Sequence, residues 1–211
     1  SDFRNGNPDV FAQRFNASGT ALWAANGVLV ASGPTAGALQ FGAPALADDG
    51  AIFVIYVDSA PLAQGGLNIR VQKLAAADGS TQYGPFGKWI TSTTVHALNS
   101  FAQPVTDAAN GFLIAWSDRR NGVNDLDAFA ARIDSAGNKA WEIVLASGTN
   151  DQGFTIQAAA DGSGGMYTVW SDSRAGNGEI DLYGTRVTQA GAAATGWTID
   201  NLGGKPIAVS I

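Results

Sequence analysis

The sequence predicts an all-β chain built from tandem four-stranded antiparallel repeats. Three observations predict it. One strand-like pattern recurs four times, as Asp9–Phe15, Asn68–Leu74, Asp127–Ile133 and Asp181–Val187, and its basic residue (Arg14, Lys73, Arg132, Arg186) recurs at spacings of 59, 59 and 54 residues. A second signature lies between these copies, at Gly50–Asp58, Gly111–Asp118 and Gly165–Asp172. The 27 glycines are spread along the chain at regular places, as many tight turns require, and no window holds a 3.6-residue period with helix caps.

The elements follow in order. Runs of five to eight residues rich in Val, Ile, Phe, Tyr and Trp are bounded by Gly, Asn, Asp and Ser, which is strand chemistry. The first strand of each repeat is expected near Gln40–Ala47, Gln103–Thr106 and Thr155–Ala160. The second ends at Tyr56, Trp116 and Trp170, and the third is the recurring basic segment. A turn follows it, at Ala17-Ser18-Gly19, Ala77-Asp78-Gly79, Ser135-Ala136-Gly137 and Gln189-Ala190-Gly191. An aromatic, Trp23, Tyr83, Trp141 or Trp197, then opens a fourth strand such as Val28–Ala31 or Trp89–Thr94. In the third strand both alternating faces are apolar or small, Phe11 and Phe15 on one and Val10 and Ala12 on the other. A sheet sandwiched between neighbours needs that composition.

A four-stranded unit of this length is the period of a β-propeller blade. The chain therefore reads as a β-propeller or part of one, with about three and a half blades. A half blade spans 1–35, and blades span 36–97, 98–150 and 151–211. Because a ring closes by pairing every edge, the chain reads either as a fragment of a longer propeller or as one whose expected partner, a second copy or another protein, completes the propeller; an open stack is the third option. The start on Ser1, without Met, reads as a processed or excised form.

Composition narrows the function classes. Twelve Lys and Arg against 18 Asp and Glu give a net charge of −6, which repels a phosphate backbone, so nucleic acid is not an expected partner. There is no cysteine for a disulfide, thiolate site or nucleophile, and no apolar run of membrane-spanning length.

The turns carry a resemblance. Trp170-Ser171-Asp172-Ser173-Arg174 precedes Asp181–Arg186, Trp116–Arg120 precedes Asp127–Arg132, and Ser1–Arg4 precedes Asp9–Arg14. The chain resembles bacterial secreted β-propeller repeats with a Trp-Ser-Asp-x-Arg turn and an Asp-x-Tyr/Phe-Ala-Gln-Arg strand. That resemblance implies a secreted or cell-surface bacterial setting and a role in adhesion or binding. The turn is also distantly similar to the Asp-box of sialidase-type propellers, but its residue order differs and no sialidase activity carries over.

The candidate sites each have a structural alternative. Asp2 with Arg4, Asp118 with Arg120, and Asp172 with Arg174 form either a repeated ligand or cation site or a set of repeat staples. In the staple reading Asp caps the turn and Arg pairs with the acid opening the third strand, Asp9, Asp127 or Asp181. The degenerate copy, with Ala60 for Arg and Asn68 for Asp, loses both members together, which favours the staple. Asp125, Asp127, Glu179 and Asp181 are the candidate calcium ligands, although none of these stretches has the spacing of a complete calcium loop. No other cofactor is expected. Trp89 falls outside the recurring Trp positions and is the candidate exposed aromatic for stacking on a sugar. His96, the single histidine, lacks the partners of a zinc site or a triad, and Glu142 and Glu179 sit in no recognisable catalytic setting. No catalytic residue is assigned. The expected function is a non-enzymatic binding or scaffold module for adhesion, assembly or protein interaction; the alternative is a carbohydrate-binding or carbohydrate-active propeller.

Overall fold

The structure, a computed structural model, describes residues 2–6, 8–32, 39–58, 67–91, 98–122, 124–176 and 178–209. Among these the chain is all-β, with four antiparallel sheets and no helix, and so no helix long and apolar enough to cross a membrane. The first sheet pairs β1 (Val10–Ala12) with β2 (Val28–Ala31). The second is a meander of β3 (Leu39–Leu46), β4 (Ile52–Asp58), β5 (Asn68–Leu74) and β6 (Lys88–Trp89). The third contains β7 (Leu98–Phe101), β8 (Val105–Thr106), β9 (Phe112–Gly122), β10 (Asp125–Ile133) and β11 (Lys139–Ala146), with β7 and β8 both pairing with β9. The fourth is β12 (Gln152–Ala160), β13 (Met166–Asp172), β14 (Asp181–Val187) and β15 (Lys205–Ala208).

Register aligns the repeats residue by residue. Asp58 lies opposite Asn68, Asp118 opposite Asp127, and Asp172 opposite Asp181; an isolated bridge sets Asp2 opposite Asp9. The first strand of the third repeat differs from the sequence expectation. It is split into β7 and β8 around Ala102 and Pro104, where proline has no amide to give the ladder. The fourth strand of the last repeat begins at Lys205, eight residues beyond Trp197, because a run of turns that includes Asp200, Asn201 and Leu202 at positive φ intervenes. Ala60, His96 and Ile211 lie outside the described residues.

The chain divides into two compact units, Ser1–Thr94 and Val95–Ile211. In the first, Val10, Val30 and Ala31 pack against Val54, Tyr56 and Leu74 of the next sheet. In the second, Leu113, Ala115, Ala128 and Ala130 pack against Ile156, Met166, Trp170 and Val187. These are corresponding faces in the aligned repeats, so one joint between neighbouring sheets is built twice. Small side chains at Ala115, Ala128 and Ala130 let the sheets approach, and the Trp170 indole fills the gap. Both faces of β9 and β10 are buried, in keeping with their apolar composition. The first and fourth sheets each leave one face open: Phe15 is 60% exposed on the first, and Tyr167 and Leu182 are 41% exposed on the fourth.

Candidate functional site

The Asp-x-Arg turns are the most elaborated polar feature. In each, the Asp carboxylate accepts the backbone N–H of the Arg two residues later, at 2.8 Å for Asp2, 3.1 Å for Asp118 and 2.8 Å for Asp172. Such a local side-chain cap closes the turn without a backbone ladder. The same Arg then folds back: Arg120 Nε lies 2.9 Å from Asp118 Oδ1, and Arg174 Nε 2.9 Å from Asp172 Oδ1. The indole N–H of Trp116 or Trp170 reaches the second oxygen, at 2.9 and 3.0 Å. The signature Trp-Ser-Asp-x-Arg thus makes one closed knot, with the carboxylate at its centre and the guanidinium stacked on an aromatic. Arg4 covers Phe11 at 3.9 Å, Arg120 covers Phe129 at 3.9 Å, and Arg174 covers Tyr183 at 3.6 Å.

One expectation is corrected by this geometry. The Arg was expected to pair with the acid that opens the third strand; it forks instead onto the Asp of its own turn. The strand-opening acids take other donors. Asp9 accepts from Asn5 Nδ2 and Ser32 Oγ, both at 2.8 Å, and Asp127 accepts from Asn121 Nδ2. A fork within the turn leaves the guanidinium face free to stack.

The degenerate repeat keeps the ion pair and the stacked ring but takes both from other positions, while the Tyr56 hydroxyl donates to Phe86 O. Arg70 stands where the other repeats carry Phe11, Phe129 and Tyr183, and it supplies the guanidinium from the strand itself. Its Nε lies 2.8 Å from Asp58 Oδ2 as an ion pair, although the N–H is not aimed along a hydrogen bond. It stacks on Trp89 at 3.5 Å, directly opposite in register. Trp89 is therefore half-buried, with one face taken by Arg70, rather than a free exposed ring.

The recurring basic residue of the third strand has its own partner, which the sequence reading left unassigned. Arg132 Nε binds Asp107 at 2.7 Å, Arg186 binds Asp161 at 2.9 Å, and Lys73 reaches Asp49 at 3.3 Å. These acids sit in the turn between the first and second strands. Asp107 and Asp161 also cap that turn through the N–H of Gly111 and Gly165, both at 2.8 Å. Burial pushes the Asp161 carboxyl up, but the Ser163 amide, the Arg186 guanidinium and further donors outweigh it and hold the group at about 2. The nearly equal spacing of basic residue and turn acid, 24, 25 and 25 residues, was the available signal.

The candidate calcium ligands do not converge. Glu179 is exposed, and Asp181 lies opposite Asp172 in the ladder. Asp125 and Asp127 are close enough to repel. Burial raises both carboxyls above the usual range, with Asp151 adding to Asp125 and Asp125 adding to Asp127. Asp125 Oδ1 and Asp127 Oδ1 are buried with no hydrogen-bond partner among the described residues. No group of three or more His, Cys, Asp or Glu among the described residues is arranged to hold a metal. Glu142, the other glutamate, is ion-paired with Arg120 and Lys139.

A cleft of about 310 Å³ in the first unit is lined by Val10, Phe11, Ala12, Gln13, Trp23, Pro44, Ile52 and Val54. Gln13 is its one polar side chain besides the indole, and both its ends are used. Its Oε1 accepts from the N–H of Arg14 and Trp23, and its Nε2 donates to Ala24 O. The cleft therefore holds no carboxylate, base or nucleophile. No family model matches the chain, and no curated protein matches it as a relative.

Proposed function

We propose that the chain is a non-enzymatic β-propeller module of an exported bacterial protein, serving adhesion, assembly or protein binding. One observation carries this reading: the molecule leaves two apolar sheet faces open. Phe15, Leu22 and Leu29 are exposed on the first sheet, and Tyr167, Val169, Leu182 and Ile207 on the fourth. Contiguous exposed apolar surface marks a contact site rather than a solvated face. The repeating polar groups point the same way, since the Asp118 and Asp172 carboxylates are each taken up by the Arg and the Trp indole of their own turn. The exported bacterial setting rests on the likeness of the Trp-Ser-Asp-x-Arg turns to secreted propeller repeats.

The competing carbohydrate reading is tested by titrating the chain with mono- and oligosaccharides while recording NMR shifts, alongside turnover of a panel of chromogenic glycosides. The expected result is neither saturable shifts nor turnover. Saturable shifts centred on Trp89, or turnover abolished by an Asp substitution, would replace this reading with the carbohydrate one.

A further inference from the structure

The joint between neighbouring sheets includes a plug and a socket. In the first unit the Trp23 ring lies on Gly79, where a Cβ would come within 2.8 Å of it, and the indole N–H donates to Ala76 O at 3.2 Å. In the second unit Trp141 lies on Gly191, where a Cβ would come within 2.9 Å, and donates to Gln189 O at 2.9 Å. Each time the plug belongs to one repeat and the socket is the turn after the third strand of the next.

Among the described residues, Trp197 is a plug and Gly19 a socket with no partner in place. Trp197 occupies the plug position of the last repeat. It sits edge-on to Tyr167 at 6.1 Å, with Lys205 over it at 5.8 Å, as Tyr83 sits beside Phe53 at 6.4 Å with Lys88 over it at 5.1 Å. Among the described residues the Trp197 indole N–H has no acceptor. Gly19 is the socket glycine of the first repeat, at φ +78° against +76° for Gly79 and +83° for Gly191, yet no atom lies within 4 Å of its Cβ position.

The surrounding faces match the filled joints. Tyr167, Val169 and Leu182 are exposed where the preceding repeat has Leu113, Ala115 and Ala128, all fully buried against a sheet. Phe15 is 60% exposed where Leu74 and Val187 are fully buried. One open face is thus the donor half of the joint and the other is part of its acceptor half.

We infer that the outer face of the β12–β15 sheet docks the first sheet of a second copy of this chain, with Trp197 of one copy seated on the Gly19 turn of the next. This rests on the binding-module reading and names the partner. The contact is heterologous, since each copy uses a different face, so it either closes a ring or extends an open array.

Sedimentation velocity across the micromolar range tests it, using the 211-residue chain with L182D and F15D; both positions are exposed, and a retained cooperative melt shows that each variant folds. The parent chain is expected to gain mass with concentration, and each variant alone to associate roughly tenfold or more weakly. Mixed together, L182D and F15D are expected to form a one-to-one dimer, because each retains the face the other has lost. W197A, which removes only the plug, is expected to weaken association in the same direction. A parent chain that stays monomeric throughout, as it would if other repeats of a longer polypeptide cover these faces, overturns the inference. So does association that F15D leaves unchanged, which would mean like faces pair. Neither result touches the sugar titration, so the two readings fail separately.

Discussion

The Trp141 indole rests on Gly191, and the space between them admits no side chain: a Cβ at Gly191 would lie 2.9 Å from the ring. Gly191 also adopts φ +83°, which L side chains rarely take. The equivalent Gly19 shares that backbone conformation, but no atom lies within 4 Å of its Cβ position.

The pair makes a controlled comparison. G19A is expected to cost only the left-handed conformation, about 1 kcal/mol. G191A adds displacement of the Trp141 ring and loss of its bond to Gln189 O, for a total of about 3 kcal/mol. Urea unfolding of both variants checks this; equal costs would show that the indole does not rest on the turn.

The turn knots should rank by burial. In Arg174–Asp172 the carboxylate side chain is fully buried, in Arg120–Asp118 it is 4% exposed, and in Arg4–Asp2 it is 35% exposed. R174A and R120A each leave a buried carboxylate short of its cation, at a cost of about 3 kcal/mol. R4A is expected to shift the unfolding transition least of the three. Chemical denaturation of the three variants reads the order directly.

The Arg70–Trp89 pair predicts a spectroscopic signature. Removing the guanidinium in R70A uncovers the face of Trp89 that it now covers at 3.5 Å. Tryptophan emission should shift to the red and iodide quenching should rise, and W89F should abolish both changes. Unchanged quenching would mean that Arg70 does not shield the ring.

The strand–turn ion pairs predict acid sensitivity with a definite sign. Asp161 is held at about 2 against its ordinary 3.8, so its stabilising contribution is complete above the ordinary value. That contribution is lost as pH falls from 3.8 through about 2. D161N should therefore be less stable than the parent at neutral pH, with the gap closing across that acid window. Asp127 runs the other way. Its carboxyl is raised chiefly by burial, so the fold gains as pH falls through the raised value and loses as pH rises. Thermal melts of the parent, D161N and D127N from acid to neutral pH separate the two.

Much of the architecture was legible because strand chemistry is local. Val28–Ala31 was expected as a strand and is one, since β-branched residues bounded by Gly need no long-range information to pair. The recurring Asp, Arg and Trp were also legible as a set, because repetition exposes what a single copy hides. Their partners were not. Asp118 and Asp127 both lie within a few residues of Arg120, and only the backbone of the turn decides that the guanidinium folds onto Asp118.

By itself, the sequence determined the period, the strand-rich class and the residues on which each repeat turns, because side-chain alternation and turn chemistry act over a few residues. The tertiary structure alone decided which charge meets which, that Arg70 and Trp89 supply the guanidinium and the ring in the degenerate repeat, and that Trp23 and Trp141 are seated while Trp197 and Gly19 stand open. The first two depend on the backbone path of each turn and hairpin; the seating of the indoles depends on how one sheet lies against the next, and apolar stacking between sheets is non-directional enough that no local pattern can encode it.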